Sequence, residues 1–324
     1  MLQLCETLEH IQMSTSENVF FQWLVSWLDN WAEHSSLRNI IKFIVHQLTG
    51  KCELQRICEL GSTGPREMRI MENALYHSKF PEIRRLVVAE DTKVKSALEI
   101  ILRKKRIFPD ESNNFMEIMP HFLSKLLSYN KLVAKVNGIR SQAYDEENEG
   151  HEEMLEKLWK LLKPGTEIES RYTDQWGEIG FQGKNPATDF RGMGILTLKL
   201  LIFFLENATE DAQRVFGFSL HPRFGFPFAV AGINLTGAAF DLLQSGKLKA
   251  YFYESDTTFY NLTHFQEIFV KLFCGFSQFY VSSEPESIME FNVLLNKYKE
   301  IVGSRLERET KTNESNVDIF KVLP

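Results

Sequence analysis

The run FRGMGILTLKLLIFFLE, residues 190–206, is too apolar to lie at a surface. Beyond Gly194 a helix drawn through it is greasy on every side, so other helices must surround it. The rest of the 324-residue chain supplies them. Apolar residues recur at helical spacing almost throughout and strand-like alternation is scarce, which predicts an all-α fold. Phe20, Trp23, Leu24, Trp27, Leu28 and Trp31 share one face. Leu37, Ile40, Ile41, Ile44, Val45 and Leu48 share another, and Gly50 is placed to end that helix. HEEMLEKLWKLLKP, residues 151–164, reads as an amphipathic helix through Met154, Leu155, Leu158, Leu161 and Leu162 that stops at Pro164.

Breaks set the organisation. GSTGPREM from Gly61 and FPDESNN from Phe108 interrupt the helical pattern, which predicts four or five helices before residue 140. SQAYDEENEG, residues 141–150, is acidic, nearly free of apolar anchors, and reads as a linker or long exposed connection. In SSEPESIMEFN, Ser283 is expected to cap a helix, with Pro285 early in it and Glu286 completing a capping-box spacing. The expected divisions are an extension at 1–36 carrying the Trp-rich helix, a helical region at 37–140, the acidic linker at 141–150, a helical domain at 151–303, and a charged, mostly disordered tail at 304–324.

Composition removes several function classes. A net charge of -6 and a pI near 5.8 give no broad cationic field, so no nucleic-acid partner is expected, and RKKR at 103–106 suits a solvated helix face. Cys5, Cys52, Cys58 and Cys274 are scattered without zinc-ligand spacing, which fits reduced thiols in a cytoplasmic protein and no metal. The amino terminus lacks the cationic start of a signal peptide, and no run is long and apolar enough to span a bilayer. The three tryptophans within residues 19–31 suit either a core face or weak peripheral contact with an organelle membrane.

WGEIGFQGKNPATDFRGMG, residues 176–194, precedes the greasy run and holds the unusual chemistry. Thr188 and Asp189 read as caps of the core helix, which would put Arg191 in its first turn, at the positive end of the macrodipole. Either Asp189 or Glu178 neutralises Arg191 and staples the helix start, or the guanidinium and the first-turn N–H groups together meet a phosphate. Gly180, Gly183, Gly192 and Gly194 permit close approach or positive φ. Neither a P-loop nor a dinucleotide fingerprint is present, so the chain is expected neither to bind nor to hydrolyse a nucleotide unaided. No serine, cysteine or carboxylate catalytic set assembles from the spacing, and His221 before a proline suits a structural hydrogen bond.

Trp176, Gly180, Phe181, Gln182, Pro186, Thr188, Asp189, Phe190, Arg191, Gly192 and Gly194, with Ile179 at a hydrophobic place, match the motif of the ELMO domain. The chain resembles the small ELMOD-type proteins over roughly residues 37–301, through LTGKCELQRI near Leu48, residues 151–164, VAGINLTGAAFDLL from Val230 and EPESIMEFN from Glu284. One departure is Thr197-Leu198 where Gly-Leu is expected. The resemblance implies an all-helical ELMO domain at 151–303 and a GTPase-activating protein for Arf-family or Arf-like GTPases in membrane trafficking. Arg191 would be the arginine finger, with Asp189 and Gln182 positioning it and the glycines keeping bulk away from the partner's nucleotide. Mg²⁺ and GTP would be carried by the partner, with no cofactor of the chain's own. The alternative it implies is a non-catalytic adaptor or scaffold, since larger ELMO-containing proteins without that arginine serve in a Rac exchange complex.

Overall fold

The computed structural model describes residues 38–61, 63–108, 114–309 and 320–321. Every regular element among them is helical, as the spacing predicts. The Trp-rich segment at 19–31 lies outside the described residues, as does Cys5. Contacts divide the chain into two compact units, residues 1–61 with 109–115 and residues 62–108 with 116–324. That division differs from the one drawn at 140 and 150.

In the first unit, α1 (Arg38–Thr49) ends at Gly50, whose φ of 66° lets its N–H reach His46 O at 2.9 Å. In α2 (Glu53–Glu59), Gln55 Oε1 accepts from the Cys52 N–H at 3.0 Å and closes the first turn. Val45 and Cys58 are fully buried.

The remaining helices are α3 (Pro65–Tyr76), α4 (Pro81–Leu86), α5 (Val94–Lys105), α6 (Phe115–Arg140), α7 (Glu149–Leu162), α8 (Ile195–Asn207), α9 (Thr209–Ser219), α10 (Phe228–Gln244), α11 (Lys249–Glu254), α12 (Leu262–Ser282) and α13 (Phe291–Glu309). Six helices therefore precede residue 141 among the described residues, because α2 and α4 are too short to show a period. In the second unit α8 is the centre, packed by α7, α9, α10 and α12. Only Lys199, Phe203, Glu206 and Asn207 of it escape burial. Phe204 meets Phe273 at 5.4 Å between ring centroids, and Phe273 stacks on Phe228 at 5.0 Å.

Residues well upstream of the expected linker are built into this core. Glu72 of α3 accepts from Lys249 and, at 3.1 Å, from the Tyr253 hydroxyl of α11. Lys125 of α6 donates to the carbonyls of Tyr253 and Ser255, each at 2.6 Å. Tyr129 donates to Leu243 O at 2.6 Å, and Asn130 Nδ2 to Val87 O at 3.0 Å. These bonds satisfy buried polar groups that would otherwise cost about 1–3 kcal/mol each.

Three local expectations are corrected. The inner face of α7 uses Leu155, Leu158, Trp159 and Leu162, while Leu161 is exposed, since Trp159 lies one step round the helix towards the core. Ser283 ends α12, its hydroxyl donating to Phe279 O at 2.8 Å. The cap of the next element is Ser287, whose Oγ accepts from Met289 N at 3.3 Å. Finally, α13 continues through Glu309, and Phe320 is buried, its carbonyl accepting from the Tyr298 hydroxyl at 2.9 Å. The chain after Ser304 is thus tied to the core at both of its described ends, because Val302, Leu306 and Phe320 extend the apolar face.

Burial pushes the Cys58 thiol up to about 12 and the Cys274 thiol up to about 11. At pH 8 the thiolate fractions are then on the order of 10⁻⁴ and 10⁻³. A maleimide at that pH is expected to label the fully buried Cys58 only as fast as the chain opens, and the half-buried Cys274 slowly, read by mass spectrometry against the urea-unfolded protein. Prompt labelling of Cys58 in the native protein would contradict its burial.

Candidate functional site

The segment before α8 is not a helix mouth. Residues Asp174–Ile179 and Pro186–Gly192 form two short 3-10 helices, and α8 begins only at Ile195 with Gly194 as its N-cap. Arg191 therefore sits in the last turn of a separate 3-10 element, and not in the first turn of α8 as expected. Asn185, rather than Thr188 or Asp189, caps that element, its Oδ1 accepting from Ala187 N at 3.0 Å. Gly192 and Gly194, weak helix formers, permit the break, and the carbonyls of Arg140 and Gln142 against Gly194 set it.

Aromatic rings and two glycines fix the element. Trp159, Trp176, Phe181 and Phe190 contact one another in sequence at centroid distances of 5.6, 6.0 and 5.5 Å, and Tyr144 stacks on Phe190 at 5.2 Å. The Trp176 indole N–H donates to Arg171 O at 3.0 Å. Gly180 has φ 87°, and a Cβ there would lie 2.3 Å from Phe228 N. Gly194 has φ 51° and ψ -143°, and a Cβ there would lie 2.1 Å from Gln142 O and 2.5 Å from Arg140 O. Ile195 N donates to that same Gln142 carbonyl at 3.0 Å, so the end of α6 presses directly on the turn. Arg140 adds a third hold: its Nη1 donates to Gly192 O at 3.2 Å while its guanidinium lies 4.7 Å from the Phe240 ring centroid.

The acidic stretch at 141–150 is exposed at most positions but fastened to the same element. Glu146 accepts from Asn185 Nδ2 at 2.8 Å and from the Tyr172 hydroxyl, and those two bonds hold its carboxyl below the usual range. A depressed carboxyl pKa adds stability that is present above the unfolded value and lost as pH falls through the folded one, so this tie weakens only on the acid side. Burial, and then the Glu152 hydrogen bond, pushes the Tyr144 phenol well up, so it stays a neutral donor to Glu152.

The motif residues divide by exposure. Trp176, Phe181, Pro186, Phe190 and Gly194 are buried and Gly180 half-buried, while Gln182, Thr188, Arg191 and Gly192 are exposed and Asp189 is intermediate. Asp189 Oδ2 accepts from Gln182 N at 2.8 Å and Thr188 Oγ1 donates to Asn185 O at 2.9 Å, so both close the turn on itself. Neither staple expected for Arg191 forms: Glu178 pairs with Lys163 at 2.8 Å, and Asp189 is engaged by Gln182 N. Among the described residues no ion pair or side-chain hydrogen bond holds the Arg191 guanidinium. Gly192 is open as well, with nothing within 4 Å of a Cβ placed on it. His221 accepts from the N–H groups of Arg223 and Phe224 at 3.2 and 2.9 Å, which occupies its ring as a structural acceptor.

A family model described as the ELMO/CED-12 family matches residues 134–295, which span this whole constellation. ELMO domain-containing protein 2 of Homo sapiens is 39% identical, over 82% of this chain and 90% of its own length. The chain belongs to the ELMO/CED-12 family. ELMO domain-containing protein 1 of Bos taurus is 38% identical over 82% of the chain and 87% of its own, and ELMO domain-containing protein B of Dictyostelium discoideum 35% identical over 89% and 97%. The ELMO match starts inside α6 and ends inside α13, so Arg140 and Tyr144 fall within it. Sequence reasoning missed both as supports of the turn. Arg140 stood at the end of a helix where a basic residue is ordinary, and only Tyr144, the single large apolar ring in an acidic stretch, offered a signal.

Proposed function

We propose that the chain is a GTPase-activating protein that lends Arg191 in trans to an Arf-family or Arf-like GTPase. What carries this reading is an exposed guanidinium, without a partner among the described residues, on a turn pinned by buried rings, two obligatory glycines and the end of α6. A side chain meant to hold its own fold would be engaged, whereas one meant for a partner must be free and its backbone fixed. The planar fork spreads charge over the equatorial oxygens of the transferring phosphoryl group, and water excluded by the partner strengthens that effect. Mg²⁺ and GTP belong to the partner. Gly192 leaves space beside the finger, and the Gln182 side chain is also exposed.

The test is single-turnover GTP hydrolysis on a panel of Arf and Arf-like GTPases. Binding with no acceleration on any member would favour the adaptor reading. Arg140 acts as a positioning residue. Arg140→Met keeps the stem over Phe240 but removes the donor to Gly192 O, an exposed bond worth about 0.5–1.5 kcal/mol. The maximal activated rate is expected to fall about tenfold with the half-saturating concentration unchanged, and Arg140→Lys to recover part of it. An unchanged rate would remove Arg140 from the mechanism.

A further inference from the structure

Helices α4 and α5 carry a charge pattern opposite to the rest of the chain. Between Lys79 and Phe108 nine lysine or arginine residues stand against four carboxylates, in a protein of net charge -6. The structure gathers them. Lys79 Nζ and Lys105 Nζ both stand over the Phe80 ring, at 5.1 and 5.8 Å from its centroid. Lys104 meets Glu82, and Arg84 Nη1 donates to Ser78 O at 2.7 Å. Lys93, Lys95, Arg103 and Arg106 are exposed and form no ion pair with a described carboxylate. Glu90, Asp91 and Glu99 are exposed among them, Glu99 at i+4 between Lys95 and Arg103, so nine cations against four carboxylates leave the segment an excess of five positive charges.

Two apolar side chains of the same segment are exposed. Arg106 ends α5 in the left-handed region with φ 55°, Ile107 turns inward to 4% exposure, and Phe108 is left 85% exposed. Val88, just past α4, is 72% exposed. A polyanion in solution would meet the cations and leave both side chains in water. An anionic bilayer takes both contributions, headgroup charge for the cations and the interfacial acyl boundary for an aromatic ring.

We propose that the face formed by α4, α5 and Phe108 docks the protein on an anionic phospholipid surface. It is distinct from the Trp-rich segment at 19–31 and independent of the role given to Arg191. The cations supply long-range, salt-sensitive attraction, and Phe108 with Val88 supplies a shallow apolar anchor.

Co-sedimentation of the full chain with phosphatidylcholine vesicles, with and without phosphatidylserine, tests this. Binding is expected only with phosphatidylserine and to fall steeply as salt rises to about 0.5 M. Lys79→Glu/Arg103→Glu/Lys105→Glu, at surface positions and with helicity checked by circular dichroism, is expected to weaken binding at least a hundredfold. The matching glutamine variant should fall in between, and Phe108→Ser should remove what survives at high salt. Equal binding to neutral vesicles, or an unaltered affinity of the charge-reversed protein, overturns the proposal. So does loss of binding in Trp23→Ser/Trp27→Ser/Trp31→Ser while the charge-reversed protein still binds. Salt-sensitive binding to a short DNA duplex with none to anionic vesicles assigns the face to nucleic acid instead.

Discussion

Arg191→Ala is expected to lower the stimulated rate of GTP hydrolysis on a responsive GTPase by about 10³- to 10⁵-fold. At about 1.4 kcal/mol per decade this removes roughly 4 to 7 kcal/mol of transition-state stabilisation. The loss should appear with no change in folding, because Arg191 is exposed and its side chain pairs with nothing among the described residues. That separation is the discriminating feature. A structural arginine would lose stability and activity together, whereas here the thermal midpoint and circular dichroism should match wild type. Arg191→Lys should fail nearly as badly, since it keeps the charge but loses the planar, multi-donor fork. Retention of activity in both variants would end the finger assignment.

The second large effect is on stability. Gly194→Ala places a Cβ 2.1 Å from Gln142 O and 2.5 Å from Arg140 O, and forces φ 51°, ψ -143° on a residue that avoids that region. Both obstacles are backbone carbonyls, one of them accepting the first N–H of α8, so neither can rotate away. Backbone strain of about 1–3 kcal/mol and overpacking of a similar size together remove about 2–6 kcal/mol. Against a typical total of about 5–15 kcal/mol this should lower the thermal midpoint by many degrees or prevent soluble expression. Gly192→Ala, two residues away, is the control. Its Cβ meets nothing within 4 Å, so the protein should melt as wild type does while the stimulated GTPase rate falls. If Gly194→Ala melts like wild type, the clamp between α6 and the turn is wrong.

The helical class and the central place of residues 195–206 were legible because a run apolar on every side admits few other fates. The motif residues were legible too, but their division of labour was not. Thr188, Asp189 and Arg191 read locally as the start of one helix. The break at Gly192–Gly194 is set by the arrival of α6 at residues 140–142, a contact from about fifty positions earlier that no local pattern encodes. The same holds for Glu178, whose partner Lys163 lies on a neighbouring stretch, and for Trp159, hidden in a helix whose leucines alone make an acceptable face. Sequence-local charge rules predict neighbours in the chain, and tertiary packing overrode them at each of these places.

The bonds made by Glu72, Lys125 and Tyr129 bear on how the molecule can be cut. A fragment excised at the limits of the family match, residues 134–295, would shed all three along with Tyr298 and Phe320. Lys249, the Leu243 carbonyl and one flank of α12 would then be stripped of their companions. Truncation to the recognisable motif region should therefore yield an insoluble or molten piece, and the turn that carries Arg191 is best studied with its upstream buttress left attached.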